Sequence, residues 1–119
     1  MINMINWTEL KEESQVESIL AESKEHPVLI FKHSTRCSIS RTALDRLERN
    51  WKSENAIPAK AYYIDLLSHR NVSNRVAEYF GIEHESPQVL IVKDGKPVHV
   101  RSHLSIAFDD IHQALTSTN

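Results

Sequence analysis

Cysteine is the scarcest functional residue in this sequence. The 119 residues contain a single cysteine, Cys37, so no disulfide can form within the chain. Only two glycines are present, too few for a glycine-rich phosphate-binding loop. No apolar run is long enough to cross a bilayer, and residues 1–4 lack the pattern of a signal peptide. These absences predict a protein of the reducing cytoplasm with no membrane partner.

The charge balance and the histidines exclude further classes of function. The net charge is −2 with histidine neutral, so there is no global basic field to attract nucleic acid. No cysteine and histidine spacing typical of zinc occurs among the seven histidines, so we predict no metal site and expect histidines at the surface. His33 lies close enough to Cys37 in sequence to tune its thiol. The length predicts a single domain spanning residues 1–119, since no repeat or linker divides it.

A short apolar run leads to the cysteine. Residues 28–31 are apolar without alternation, which predicts a strand buried on both faces. A polar, basic loop at 32–36 follows, and Cys37 comes at its end. A helix is then predicted from about Ser38 to Ser53, with an apolar face formed by Ala43, Leu44, Leu47 and Trp51.

A cysteine at the start of a helix is suited to thiol chemistry. The first-turn N–H groups point towards the sulfur, and the helix dipole favours its anion. Lys32, Arg36 and Arg41 add positive charge that acts in the same direction. A reactive thiolate at Cys37 is therefore the leading hypothesis, ahead of a buried structural cysteine.

The remaining elements alternate between helix and strand. A capping-box pattern at 14–17 predicts a helix that ends before Pro27, preceded by a lead-in with Trp7 and Leu10 as anchors. The later elements are a strand at 61–65, a helix at 71–80 ended by Gly81, strands at 89–92 and 97–101, and a helix at 107–116. This order predicts an α/β protein: a four-stranded mixed sheet (βαβ, then ββα) flanked by helices, with an extra N-terminal helix.

This order, with a cysteine opening the first βαβ helix, resembles the thioredoxin fold. Cys37-Ser38-Ile39-Ser40 stands where that fold has Cys-x-x-Cys, and Ser86-Pro87 stands where it has a cis-proline facing the cysteine. Residues 31–40 (Phe-Lys-His-Ser-Thr-Arg-Cys-Ser-Ile-Ser), Ser86-Pro87-Gln88-Val89 and the turn at 94–95 resemble the monothiol bacilliredoxin family more closely. The resemblance extends from about Trp7 to Leu115. Many members have proline where this chain has Ser38, a change that should alter the stiffness of the first helical turn without removing the nucleophile.

The number of cysteines constrains the reaction. A thiolate attacks a disulfide and forms a mixed disulfide, which a second cysteine normally resolves. Ser40 stands where that cysteine would be, and the chain has no other, so an external thiol must resolve the mixed disulfide. The resemblance implies a thiol–disulfide oxidoreductase that uses bacillithiol as co-substrate, with no bound cofactor, and bacillithiolated cytoplasmic proteins as partners.

The resemblance also suggests how residues near Cys37 act. Ser40, one turn into the helix, can donate a hydrogen bond to the Cys37 thiolate. Because bacillithiol carries carboxylates, the cationic side chains near Cys37 are candidate contacts for them. The expected substrate contacts are Lys32, Arg36, Ser38, Ile39, Arg41, Ser86 and Pro87.

Two other classes of function remain open. Monothiol glutaredoxins with Cys-Gly-Phe-Ser ligate an iron–sulfur cluster through their cysteine and an external thiol. This chain lacks that glycine and phenylalanine, which counts against an iron–sulfur carrier. A brown colour on anaerobic purification would favour that function. A non-catalytic adaptor on a thioredoxin-like scaffold is the third hypothesis, which an unreactive Cys37 would favour.

Overall fold

The structure, a computed structural model, describes residues 7–34, 36–51 and 60–116. Its elements are β1 (Trp7–Glu9), α1 (Ser14–Ser23), β2 (Val28–His33), α2 (Ser38–Asn50), β3 (Lys60–Asp65), α3 (Arg70–Phe80), β4 (Gln88–Lys93), β5 (Lys96–Ser102) and α4 (Phe108–Thr116). A short 3-10 helix, His103–Ser105, joins β5 to α4. No helix within these ranges combines the length and the apolar character needed to cross a bilayer.

The strands form one mixed sheet in the order β1-β3-β2-β4-β5. β3 runs parallel to β1 and β2, whereas β4 runs antiparallel to β2 and β5. Every residue of the central strand β2 is buried, as predicted for residues 28–31 from their uninterrupted apolar run. The predicted fold class is confirmed, but the number of strands is five rather than four. The additional strand, β1, lies in the segment that the sequence indicated as a lead-in.

β1 is an edge strand held by contacts to two elements. Trp7 and its neighbours pair with β3, and the Leu10 N–H donates to the Tyr63 carbonyl at 2.8 Å. Trp7 Nε1 donates to Glu48 Oε2 of α2, also at 2.8 Å. Leu10 is fully buried, so the anchoring expected of it is present. A strand of three residues is too short to show a two-residue period, which is why the sequence pattern did not predict it.

Two hydrophobic cores lie on opposite faces of the sheet. Helices α1 and α3 cover one face, with a core that includes Val16, Ile19, Val28, Ile30, Val72 and Val76. Helices α2 and α4 cover the other, with a core that includes Leu29, Phe31, Ala43, Leu47, Ile111 and Leu115. Alternate residues of β2 therefore serve opposite cores. The apolar face predicted for the helix after Cys37 is confirmed, since Ala43, Leu47 and Trp51 belong to the core covered by α2 and α4, and Leu44 packs against it.

The end of β2 differs from the prediction in a way that matters for function. Lys32 and His33 belong to the strand, although the sequence indicated a loop at 32–36. Lys32 pairs with Ile64 of β3 and Gln88 of β4, so the ladder continues beyond the apolar run. Pairing on both sides keeps Lys32 in the sheet, and pairing with Asp65 of β3 keeps His33 there.

Helix ends also differ from the predicted ends. α1 begins after Glu13, which makes no side-chain capping bond, so Ser14 is the first helical residue rather than the cap. α2 ends at Asn50, because Trp51 has an extended backbone while its side chain is buried. The break predicted at 55–58 lies outside the described residues. Gly81 ends α3 in the left-handed conformation, with φ of 65°, as predicted.

β5 forms the other edge of the sheet. Its pairing with β4 shifts register between Ile91 and Val92, and Pro97 lies opposite Val92. Lys96 and Arg101 are exposed along the same strand.

Candidate active site

Cys37 is the N-cap of α2, directly after the loop that leaves β2. Its backbone is extended, with φ of −101° and ψ of 118°, and its side chain makes no capping hydrogen bond. Its N–H donates to the Ser34 carbonyl, and its own carbonyl accepts the Arg41 N–H, both at 3.1 Å. The side chain is partly exposed. The thiol is thus accessible at the positive end of the α2 helix dipole.

Ser40 is fully buried, and its hydroxyl forms hydrogen bonds with Ser34 and His33 rather than with the cysteine. Its Oγ accepts the Ser34 N–H at 3.1 Å and lies 2.7 Å from His33 Nδ1. Since the hydroxyl oxygen has a second lone pair, a neutral His33 either accepts the Ser40 proton at Nδ1 or donates its own, according to its tautomer. The structure does not show the predicted hydrogen bond from Ser40 to Cys37. Instead, Ser40 ties the start of the loop to the first turn of α2.

The burial of His33 favours the neutral form of its imidazole ring. Burial lowers the pKa of His33 below its usual value, against the opposing effect of the Asp65 carboxylate. The Arg41 cation lowers the pKa further, while Glu48 and Asp45 raise it. His33 is only 7% exposed. The expectation of surface histidines is therefore wrong for this residue, and also for the buried His99.

Lys32 lies on the sheet face covered by α1 and α3, opposite to α2. It is fully buried, and its Nζ is 3.2 Å from His84 Nδ1, the atom that also lies 3.1 Å from Ser73 Oγ. Burial lowers the pKa of Lys32 to about 8. Burial also lowers the pKa of His84, and the Lys32 and Arg70 cations act in the same direction.

This placement overturns Lys32 as a surface contact for substrate. Lys32 lies on the same face of β2 as Val28 and Ile30, but residues 28–31 are apolar without alternation, so the sequence did not show which face Lys32 would take. The residue connects β2 to the segment that leads to Ser86 instead.

Four of the predicted contact residues surround Cys37 on the surface. Arg36, Ser38, Ile39 and Arg41 are all exposed. Ile39 is 45% exposed, which is unusual for a large apolar side chain in this protein. Ile39 and Arg41 in the first turn of α2, and Arg36 directly before Cys37, thus provide one apolar and two cationic side chains near the thiol.

Ser86 and Pro87 lie at the same edge of the sheet as the cysteine loop. Their peptide bond is cis, and Pro87 is buried immediately before β4. Gln88, the next residue, pairs with Lys32 near the end of β2, so the segment before β4 and the segment after β2 emerge together. Ser86 Oγ is buried and has no hydrogen-bond partner among the described residues.

The described residues were also searched for metal ligands. They contain no group of three or more histidine, cysteine, aspartate or glutamate side chains that could hold a metal ion.

Solved structures similar to this one have the thioredoxin fold. One, described as a candidate oxidoreductase with a thioredoxin fold, has a TM-score of 0.77 and 29% identity, and covers 91% of this chain and 92% of its own. Thioredoxin from Malassezia sympodialis has a TM-score of 0.72 and 12% identity, and the match covers 98% of this chain and 93% of that thioredoxin. Thioredoxin from Schistosoma mansoni has a TM-score of 0.70 and 15% identity, and the match covers 99% of this chain and 100% of that thioredoxin. At such low identity, the two thioredoxins establish the fold alone.

The family of the chain follows from a match along most of its length. Residues 8–111 match the family model described as monothiol bacilliredoxin BrxC. The matched range contains the partly exposed Cys37 and the Ser86-Pro87 segment, and it supports a thiol redox function. The resemblance deduced from residues 31–40 is thereby confirmed, and the chain belongs to the monothiol bacilliredoxin BrxC family.

Proposed function

We propose that this protein removes bacillithiol from mixed disulfides on cytoplasmic proteins by a monothiol mechanism. One observation carries the proposal: the only cysteine of a BrxC family member lies partly exposed at the N-cap of α2. Backbone N–H groups of the first helical turn have no partners within the helix, so they stabilise the attacking thiolate.

The reaction takes place in two exchanges. The Cys37 thiolate attacks the bacillithiol sulfur of the mixed disulfide, a new S–S bond forms, and the target protein leaves as its thiolate. A second bacillithiol thiolate then attacks the bacillithiol sulfur on Cys37. The products are bacillithiol disulfide and the free Cys37 thiolate, so this external thiol supplies the reducing electrons. No bound cofactor takes part.

The exposed residues around Cys37 are proposed to bind the two halves of this substrate. Arg36 and Arg41 provide cations for the carboxylates of bacillithiol. Ser38 and Ile39 form the surface that meets the target protein, and Ile39 contributes an exposed apolar side chain. Ser86 and Pro87 flank the path of the target chain.

Ser40 and Lys32 are assigned positioning roles instead of contacts. Ser40 fixes the loop on which Cys37 lies, through its bond from Ser34. Lys32 fixes the segment that precedes Ser86, through His84.

The test is mass spectrometry of the protein mixed with a bacillithiolated model protein. Wild type should gain one bacillithiol on Cys37, and free bacillithiol should remove it. Cys37→Ala should gain none. Thr42→Ala, which removes an exposed hydroxyl from α2 outside the proposed contacts, is a matched control and should still gain the adduct.

The proposal would be refuted if wild type formed no adduct and Cys37 resisted a thiol alkylator at neutral pH. An adduct that wild type and Cys37→Ala formed equally would also contradict it, because the modification would then not involve the only cysteine.

A further inference from the structure

A cavity along the helix that Cys37 begins is not accounted for by the roles above. It has a volume of about 300 Å³ and is lined by His33, Arg41, Leu44 and Asp45. His33 ends β2, and the other three residues lie on α2. The cavity therefore lies between the end of the central strand and the helix that Cys37 begins.

The helix aligns this cavity with the thiol. Arg41 is four residues after Cys37 and Asp45 is eight residues after it, so all three lie on one side of α2. At about 1.5 Å per residue, Arg41 is about 6 Å and Asp45 about 12 Å along the axis from Cys37. A molecule the size of an extended tripeptide spans about 10 Å. A small thiol bonded to Cys37 can thus reach both charges.

The two charged side chains are available to a ligand. Arg41 and Asp45 are exposed, and neither forms an ion pair with a residue in the described part of the chain. Their separation of four residues would allow such a pair across one helical turn. The cavity therefore has a cation near the cysteine and an anion one turn further along.

The other two lining residues provide a polar wall and an apolar wall. His33 Nδ1 is bonded to Ser40, which leaves Nε2 as the ring nitrogen available to the cavity. In the neutral ring that accepts at Nδ1, Nε2 carries the proton and donates to a hydroxyl or carboxylate. Leu44 is partly buried and packs against the core at the base of α2.

We propose that this cavity binds the non-sulfur part of the small thiol carried by Cys37 and selects thiols that bear both a carboxylate and an ammonium group. Arg41 contacts the carboxylate, and Asp45 contacts the ammonium group. This inference rests on the proposed function. It adds a site with a defined orientation, running from Cys37 along α2, and assigns Asp45 and His33 to it.

The reaction of Cys37 with four symmetrical disulfides tests the site. Cystine has both charges, cystamine only the ammonium group, 3,3′-dithiodipropionate only the carboxylate, and 2-hydroxyethyl disulfide neither. Each rate constant is measured by mass spectrometry of the Cys37 adduct and divided by that for 2-hydroxyethyl disulfide. The division removes any change in the reactivity of the thiol itself.

Wild type should favour cystine. Arg41→Gln should lower the relative rate for cystine and dithiodipropionate by about fivefold, the size of one partly exposed charge contact, and spare cystamine. Asp45→Asn should lower the relative rate for cystine and cystamine by a similar factor and spare dithiodipropionate. Arg46→Gln and Asp109→Asn remove the same charges outside this cavity and should leave all relative rates unchanged.

The outcomes separate the cavity from the proposed function. If Arg41→Gln changed all four rates equally, or if the control variants matched the cavity variants, the cavity would not bind the thiol and this inference would be overturned. If Cys37 also removed bacillithiol from a target, the proposed function would survive that result. If no disulfide and no bacillithiolated protein modified Cys37, the proposed function itself would fail.

Discussion

At the scale of single residues, Ser40 acts on the cysteine through the loop rather than by contact. Its hydroxyl joins His33 to the Ser34 N–H, and the Ser34 carbonyl in turn accepts the Cys37 N–H. These bonds hold the backbone that carries the thiol. Buried hydroxyl groups with two partners are costly to remove, since both partners lose a bond.

Ser40→Ala should therefore lower the free energy of unfolding by about 1–2 kcal/mol. It should also change the alkylation rate of Cys37 at neutral pH, because the loop is no longer fixed to α2. Chemical denaturation and iodoacetamide kinetics measure the two effects. Ser38→Ala is the control, since Ser38 is exposed in the same helical turn. Equal stability of the two variants would argue against the positioning role.

Lys32 makes the stability depend on pH in an unusual range. Its pKa is 10.5 in an unfolded chain and about 8 in the folded protein. Between these values the unfolded chain binds more protons, so this residue makes the stability rise as pH increases from about 8 to 10.5. Below pH 8 the folded protein bears the cost of the buried cation.

Lys32→Met should remove this dependence. Relative to the variant, wild type should gain on the order of 2–3 kcal/mol in unfolding free energy between pH 8 and 10.5. Urea denaturation at several pH values measures the difference, and Lys24→Met, which removes an exposed lysine, is the control. If the difference between wild type and Lys32→Met were constant over this range, Lys32 would not titrate as described.

The sequence was informative about the cysteine and less so about its polar neighbours. Cys37 could be recognised because a single thiol after a basic loop and before a helix has few structural uses. Lys32 and His33 could not be placed, since charged residues after an apolar run resemble a loop until both neighbouring strands are known. Their hydrogen-bond partners, His84 and Ser40, are determined by tertiary packing that a linear pattern does not contain.

At the scale of elements, β2 could be predicted from a local sequence pattern, whereas β1 depends on tertiary contacts. A continuous apolar run predicted β2, whereas β1 depends on a few specific contacts, among them the bond from Trp7 Nε1 to Glu48. The aromatic ring of Trp7 also packs edge-on against Phe31 and Tyr63, at centroid distances of 6.1 and 6.4 Å. Such contacts have no signature in the local sequence.

A double-mutant cycle with Trp7→Phe and Glu48→Ala tests how β1 is held. Phenylalanine keeps an aromatic ring but has no N–H, so the cycle isolates the bond to the carboxylate. We expect a coupling energy of about 1 kcal/mol in the free energy of unfolding. Additive effects of Trp7→Phe and Glu48→Ala would show that the bond does not stabilise the strand. The control cycle pairs Trp7→Phe with Glu12→Ala. Its effects should be additive, because Glu12 has no contact with Trp7 in the described structure.

At the scale of the whole molecule, the two cores share the central strands. Leu29 and Phe31 of β2 face α2 and α4, whereas Val28 and Ile30 face α1 and α3. Neither face can lose its packing without exposing a strand that the other face needs. The two cores should therefore unfold together.

Equilibrium unfolding should accordingly be a single transition. Both tryptophans, Trp7 and Trp51, belong to the face covered by α2 and α4, so their fluorescence reports that core. Far-ultraviolet circular dichroism reports all four helices. The two signals should have coincident midpoints in urea, and midpoints that differed beyond error would show that the faces unfold separately.

The outer strand β5 affects whether two copies of this protein can pair edge to edge. An open sheet edge is a template on which a second chain can add a strand, which is a common beginning of aggregation. Here the edge carries Lys96 and Arg101, Pro97 offers no N–H, and the nearby register shift bends the ladder. A second copy approaching this edge would bring like charges together and find an incomplete set of donors. This edge therefore disfavours strand addition by a second copy, while Cys37, at the N-cap of α2, stays partly exposed to other molecules.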